Sequence, residues 1–255
     1  MKHRYLLSVL NYRILIILLE TVLVYFLYYQ YNFKLSVDFT ILSIAIVFPI
    51  VFLITSAYQK RQDALFTFNV FRNKIIELSN IYYSVDKIDV KNYKNLFKAL
   101  FKIQELVIQH LIKDSNESIE IIRKSRKEIF FTIDADKEFY NEREKDSLIR
   151  VKNELFQSVE KLFSIKFHPT PKSLRKYCLV FIYLSPFIYN GQILFVNSID
   201  SDLKNLVSVI ISSLIGFVLM ALYNVQEHIE NPFDQQGIDD LDFKAIQINA
   251  YEQLN

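Results

Sequence analysis

Four long apolar runs constrain the fold of this chain more than any other feature. They occupy residues 14–29, 39–57, 177–196 and 206–223, and the second and fourth contain no charged residue. A helix of about 20 residues spans the roughly 30 Å hydrocarbon layer of a membrane. Buried helices of a soluble bundle usually keep a polar stripe, and the second and fourth runs show none beyond Ser and Thr. The runs therefore predict four transmembrane helices.

The long region between the second and third runs has a different composition. Residues 59–173 are rich in charge, and apolar residues recur at helical spacing in 65–81, 93–112, 119–139 and 148–167. Turn-forming residues cluster at 84–89 and 114–118, and prolines end the last helix at 167–171. Nothing breaks the helix between Ala57 and about residue 84, so the second span is expected to continue into this region.

The predicted fold class is therefore all-α, an integral membrane protein with four transmembrane helices and a helical cytosolic domain. Its segments are 1–58, with the first two membrane helices, and 59–173, the cytosolic helical region. Residues 174–224 hold the third and fourth membrane helices, and 225–255 form an acidic cytosolic C-terminal segment. A short final helix is expected over 241–254.

The charges that flank the spans predict their orientation. Cytoplasmic loops of membrane proteins carry an excess of Lys and Arg, so we expect both termini and the middle region to lie in the cytoplasm. The basic flanks are Lys2, Arg4, Arg13, Lys60, Arg61, Lys172, Arg175 and Lys176, whereas the hairpin loops hold Lys34, Asp38, Asp200, Asp202 and Lys204.

The residues that common enzyme classes require are missing. The chain has only three glycines, too few for a phosphate-binding loop, and one cysteine, Cys178. Its four histidines are scattered without a metal-binding spacing, and there is no GxSxG nucleophile elbow. A net charge of +2 does not indicate nucleic-acid binding. We therefore expect neither an enzyme nor a nucleic-acid partner.

The second span contains the pattern with the clearest functional reading. Ile44, Phe48 and Phe52 are spaced by four and share one helix face. In a monomer they would be ordinary packing residues, but in a symmetric ring the same face from every subunit can meet on the axis. Three stacked apolar rings would then form a constriction that gates by dewetting. Pro49 removes one backbone donor within this segment and is a candidate hinge.

Glu20 is the acidic residue inside the first span. Carboxylates at membrane depth are costly and usually face protein or water. Two readings stay open: an intramembrane polar site that lines a pore or joins two helices, or a position near the membrane interface.

Four motifs, in order, resemble the bestrophin family. The string IAIVFPIVF at 44–52 is similar to the bestrophin neck, and SAYQKRQDAL at 56–65 resembles the segment after it in bacterial members. FHPTP at 167–171 with LSPF at 184–187 is similar to the family's entry into the third span. EHIENPF at 227–233 followed by DDL at 239–241 and IQIN at 246–249 resembles the segment after the fourth span.

This resemblance implies an ion channel. Bestrophins are homopentamers in which four membrane helices per subunit surround an axial pore, and a cytosolic helical region extends that pore. The resemblance places the gate at the neck, in a lipid bilayer that is the bacterial inner membrane. It also implies permeating inorganic ions as partners, with chloride and other anions expected.

In animal bestrophins the segment after the fourth span forms a calcium clasp. The resemblance carries this clasp to Asn231, Asp239, Asp240 and Asp242. His228 stands where the family has glutamine, and Asp234 stands where it usually has glycine. Since histidine is a poor ligand for calcium, the clasp is degenerate, and no cofactor is expected to be required.

Three alternatives stay open at this stage. The first is a cation-selective channel of the same fold, because aromatic edges favour anions and aromatic faces favour cations. The second is a secondary transporter, for which Glu20 and helix breaks at Pro49 and Pro186 are the available features. The third is a membrane scaffold whose cytosolic helices bind a partner.

Overall fold

The computed structural model of the protein describes residues 11–33, 35, 39–85, 87–113, 116–195, 201–237 and 239–248. This part of the chain is helical and contains no strand, which confirms the all-α prediction. The helices are α1 (Tyr12–Tyr31), α2 (Phe39–Tyr83), α3 (Val90–Ile112), α4 (Asn116–Ala135), α5 (Glu142–Phe167), α6 (Lys172–Phe195), α7 (Ser201–Glu230) and α8 (Phe243–Ile246).

Four helical stretches are long and apolar enough to cross a membrane. They contain α1, the first part of α2, α6 and most of α7, the four positions predicted from the sequence. Helix α2 has 45 residues, about twice the number needed to span the hydrocarbon layer. It therefore confirms that the second span continues as one helix up to Tyr83.

Local sequence explains where several helices begin and end. The side chain of Asn11 accepts a hydrogen bond from the Arg13 backbone N–H (3.0 Å) at the start of α1. Asn32 ends that helix in the left-handed region with φ 48°, which asparagine tolerates better than most residues. Asn141 and Glu144 form a reciprocal capping box at the start of α5.

The chain forms two compact units. The membrane unit comprises Met1–Gln59, Pro169–Asn231 and Gly237–Asp239. The helical unit comprises Lys60–His168, Pro232–Gln236 and Asp240–Asn255. The described part of the C-terminal segment thus divides between the two units and does not form a unit of its own.

The membrane unit is built around α1, α6 and α7, which pack against one another. Gly216 allows α7 to approach α1 closely, since a Cβ at this position would lie 3.3 Å from the Ile17 side chain. The buried core includes Ile14, Ile17, Ile46, Ile50, Leu53, Cys178, Ile182, Tyr189, Leu219, Met220 and Tyr223.

Polar side chains also join these three helices inside the membrane unit. Asn190 of α6 donates a hydrogen bond from Nδ2 to the Thr21 carbonyl of α1 (3.2 Å). The Ser208 hydroxyl of α7 donates to Asn190 Oδ1 (3.0 Å). All three residues are buried. Because the asparagine amide has hydrogen-bond partners on both neighbouring helices, its removal from water is compensated.

The helical unit has a separate apolar core, formed by the second part of α2 with α3, α4, α5 and the segment around α8. Lys74 of α2 bridges Glu77 (2.7 Å) and Glu154 of α5 (2.6 Å) at its surface. The largest fully buried side chains of this core are Tyr82, Phe68, Phe71, Phe233, Ile75, Leu78, Leu96 and Leu100.

A buried polar cluster fixes the end of α2 in the helical unit. The Tyr82 hydroxyl donates a hydrogen bond to the Asp136 carboxylate, and Asn92 Nδ2 donates to the same carboxylate at 2.9 Å. Tyr140 packs edge-on against the Tyr82 ring, and its hydroxyl donates to the Ile133 carbonyl (3.0 Å). Burial and the nearby Asp136 carboxylate raise the pKa of Tyr140 above its ordinary value.

Replacing Tyr82 with phenylalanine is expected to destabilise the protein by about 1–3 kcal/mol, because the buried Asp136 carboxylate loses a donor. Thermal unfolding followed by circular dichroism measures this change. Tyr83→Phe is the matched control, since Tyr83 is 70% exposed. Equal melting temperatures for the two variants would contradict the role assigned to the Tyr82 hydroxyl.

The final helix is much shorter than the sequence predicted. Instead of 241–254, the structure has α8 at Phe243–Ile246, and Gln247 is already extended. The Gln104 side chain binds the backbone of Ile248 in place of a helical partner. The Ile248 N–H donates to Gln104 Oε1 (3.0 Å), and Gln104 Nε2 donates to the Ile248 carbonyl (3.2 Å). Residues 249–255 of the expected helix lie outside the described residues.

Candidate functional site

Helix α2 has two distinct faces within the membrane unit. Ile46, Ile50, Leu53 and Ala57 recur every three to four residues and are buried in the core of this unit. The opposite face is turned away from that core. Helix α2 is therefore anchored on one side and free to contact something else on the other.

The predicted neck residues lie on the free face. Ile44 and Phe48 are each 60% exposed, and Phe52 is 54% exposed. The Phe48 and Phe52 rings contact each other edge to face, with centroids 4.6 Å apart and planes at 90°. The packing role that these residues would have in a monomer is absent, since none of the three is buried in the membrane unit.

Pro49 lies inside α2, between the two phenylalanines. The helix continues through it from Phe39 to Tyr83, although proline cannot donate the hydrogen bond that the carbonyl of Ala45 would accept. Helix α2 therefore has a point of weaker backbone bonding next to the ring pair. Its role as a hinge stays a prediction.

Glu20 is half-buried on α1. Its Oε2 atom is buried and has no hydrogen-bond partner among the described residues. The structure thus joins Glu20 to no other described helix by a hydrogen bond, and its predicted role as a polar site stays a prediction.

The end of α7 carries a buried carboxylate that the sequence analysis did not single out. Glu230 accepts hydrogen bonds from the Thr170 backbone N–H (2.7 Å), the Thr170 hydroxyl (2.6 Å) and Gln226 Nε2 (2.8 Å). Glu230 and Thr170 are almost fully buried, and Gln226 has no exposed surface. The contact holds the turn before α6 against the end of α7.

One turn earlier, α7 also contacts the start of α1. Arg13 forms an ion pair with Glu227 (2.7 Å), and the side-chain amides of Asn11 and Asn224 exchange two hydrogen bonds of 3.1 Å. Both glutamates lie in the EHIENPF motif, which was the only sequence feature that pointed to these contacts. Their partners lie far away in the chain, however, and no local pattern identifies such partners.

The predicted calcium-clasp residues are divided between the two units. Asn231 and Asp239 belong to the membrane unit, whereas Asp240 and Asp242 belong to the helical unit. The Asp242 carboxylate caps α8 by accepting from the Lys244 N–H (3.0 Å). Within the described ranges, no three His, Cys, Asp or Glu residues are grouped to hold a metal ion.

Calcium takes six to eight oxygen ligands, which backbone carbonyls and asparagine side chains supply as well as carboxylates. The calcium clasp stays a prediction. The predicted orientation depends on several charged residues that lie outside the described residues. These are Lys2, Arg4, Lys34, Asp38 and Asp200.

Comparisons with known proteins identify the fold. No protein-family model matches the chain, and no curated protein does. The structure is similar to a bacterial bestrophin homologue from Klebsiella pneumoniae crystallised as a tryptophan-to-alanine variant, with 15% identity, TM-score 0.75, and coverage of 95% of this chain and 93% of that chain.

A second structure of a bacterial bestrophin homologue from Klebsiella pneumoniae, solved by zinc anomalous phasing, gives 16% identity and TM-score 0.75, covering 92% of this chain and 93% of that chain. The likeness extends over nearly the whole of each chain. It establishes that this chain has the bestrophin fold, which confirms the resemblance drawn from its four motifs.

Proposed function

We propose that this chain with the bestrophin fold is one subunit of a homopentameric ion channel. The observation that carries the proposal is the free face of α2, where Ile44, Phe48 and Phe52 are exposed opposite a buried face. A head-to-tail ring of identical subunits closes around an axis. Such a ring would place this face from every subunit around one central passage.

The three side chains would then form three apolar rings at the neck of the pore. An apolar constriction excludes water when it is narrow and conducts when it widens and becomes wet. The gap in backbone hydrogen bonding at Pro49 lies within this segment, so a small bend there would change the radius of the neck. The rings carry no charge and act as a hydration barrier.

Anion conduction, with chloride as the main ion, is the selectivity we propose. The perpendicular planes of Phe48 and Phe52 support it, because two rings at 90° cannot both turn their negative faces to the same axis. A ring turned away from a face-on orientation can present its weakly positive edge to an ion. Edges that point into a dry constriction favour anions over cations.

The proposed location is the bacterial inner membrane, with both termini in the cytoplasm and the lipid bilayer as partner. Exposed apolar side chains on α1 support contact with lipid, among them Leu15, Leu19 and Leu23. Tyr25, Tyr29 and Tyr31 lie near the C-terminal end of α1, and tyrosine is enriched at membrane interfaces. The channel proposal involves no enzyme activity and no nucleic acid.

Planar-bilayer recording of the purified protein in asymmetric potassium chloride tests this proposal. We expect unitary current steps that reverse near the equilibrium potential of chloride. Reversal near that of potassium would favour the cation-selective alternative. Saturable, gradient-coupled uptake without unitary steps would favour a transporter, and a monomeric particle that carries no current would favour a scaffold.

A further inference from the structure

The free face of α2 changes character directly after the neck. Thr55 and Gln59 are both exposed, and neither side chain has a hydrogen-bond partner among the described residues. Both lie in the part of α2 that belongs to the membrane unit. The apolar face thus continues into two polar, uncharged side chains that the packing of this unit does not use.

These two residues continue the line of the neck. Successive helical residues advance by about 100°, so Thr55 and Gln59 each point within about 20° of the direction of Phe48. Gln59 lies seven residues beyond Phe52, which corresponds to about 10 Å along the helix axis. Thr55 and Gln59 therefore face the same surroundings as Phe48, about two and about three helical turns further along.

We propose that Thr55 and Gln59 form an uncharged ion-binding ring directly beyond the neck, with Gln59 as the residue that determines selectivity at that level. This inference rests on the proposed function, since it needs α2 to line a pore. The ligand is an inorganic ion that has lost part of its hydration shell in the apolar rings. The ring replaces those lost water contacts.

The chemistry of the two side chains suits this role. A threonine hydroxyl and a glutamine carboxamide both offer donors and acceptors, so their N–H and O–H groups bind an anion and their oxygens bind a cation. Because neither group is charged, binding is weak enough for the ion to leave, as conduction requires. Neither ring residue contributes a charge of its own in the native protein.

The ring makes a specific prediction for charge substitutions at Gln59. In the planar-bilayer experiment, Gln59→Lys is expected to shift the reversal potential toward that of chloride, and Gln59→Glu toward that of potassium. Gln109→Glu is the matched control, because Gln109 is exposed on α3 of the helical unit. It adds the same charge away from the ring and is expected to leave the reversal potential unchanged.

The outcomes separate this inference from the channel proposal. A native protein that carries no current overturns the proposed function. A native protein that conducts, with reversal potentials unmoved by Gln59→Glu and Gln59→Lys, overturns the ring alone.

Thiol modification gives a second measurement, in which the protein folds before position 59 is altered and no charged residue is introduced. In a Cys178→Ala background, Gln59→Cys is expected to lose most of its current when a bulky thiol reagent is added from the cytoplasmic side. Cys178 itself is buried, so the background protein should not respond. A Gln59→Cys channel that reacts with the reagent and keeps its full current would overturn the ring.

Discussion

Replacing Phe48 and Phe52 together with alanine is expected to raise the basal current of the reconstituted channel on the order of tenfold, the equivalent of ~1.4 kcal/mol off the barrier. The two rings are the bulkiest groups on the free face of α2, and both are more than half exposed. Removing them would widen the neck and lower the cost of wetting it. Current recording in planar bilayers measures the change.

The exposure of both rings makes this experiment interpretable. Because neither phenylalanine fills the core of the membrane unit, their removal leaves no cavity there and is not expected to unfold it. Phe26→Ala is the matched control, since Phe26 is also 60% exposed but lies on α1. Native-sized currents in the double variant, or equal increases in the Phe26→Ala control, would show that the rings do not form the gate.

The sequence was sufficient for the four long apolar helices and for the extension of α2, whereas the neck stays a prediction. The membrane spans follow from run length and the absence of charge, and the extension of α2 follows from the lack of breakers up to Tyr83. Spacing by four placed Ile44, Phe48 and Phe52 on one face. Spacing alone did not distinguish a buried face from a free one, and the structure decides this because the buried residues are Ile46, Ile50, Leu53 and Ala57.

The features that the sequence did not reveal depend on partners distant in the chain. Glu230 lies in a recognised motif, yet its buried partner Thr170 is 60 residues away. Likewise, α8 ends early because Gln104, in α3, takes the backbone of Ile248 out of the helix. Local propensity predicts a helix in such a segment, and tertiary hydrogen bonds override it.

Replacing Glu230 with alanine is expected to destabilise the protein by about 3 kcal/mol or more, since it leaves the Thr170 N–H and the Gln226 amide buried without an acceptor. Glu227→Ala offers a matched comparison one turn earlier on the same helix. Glu227 is partly exposed and pairs with Arg13 at the surface, where ion pairs contribute about 1 kcal/mol or less. The buried Glu230 carboxylate should therefore contribute more to stability than the partly exposed Glu227 carboxylate.

Cys178 provides a direct readout of this difference. It is the single cysteine of the chain and is buried in the core of the membrane unit, so a thiol-reactive dye reports the unfolding of that unit during heating. Glu230→Ala should react at a clearly lower temperature than Glu227→Ala, with Glu230→Gln in between because it keeps the shape and one acceptor oxygen. If Glu227→Ala is equally destabilising, the exposed ion pair and the buried contact hold the end of α7 to the same degree, and burial does not determine the strength of this attachment.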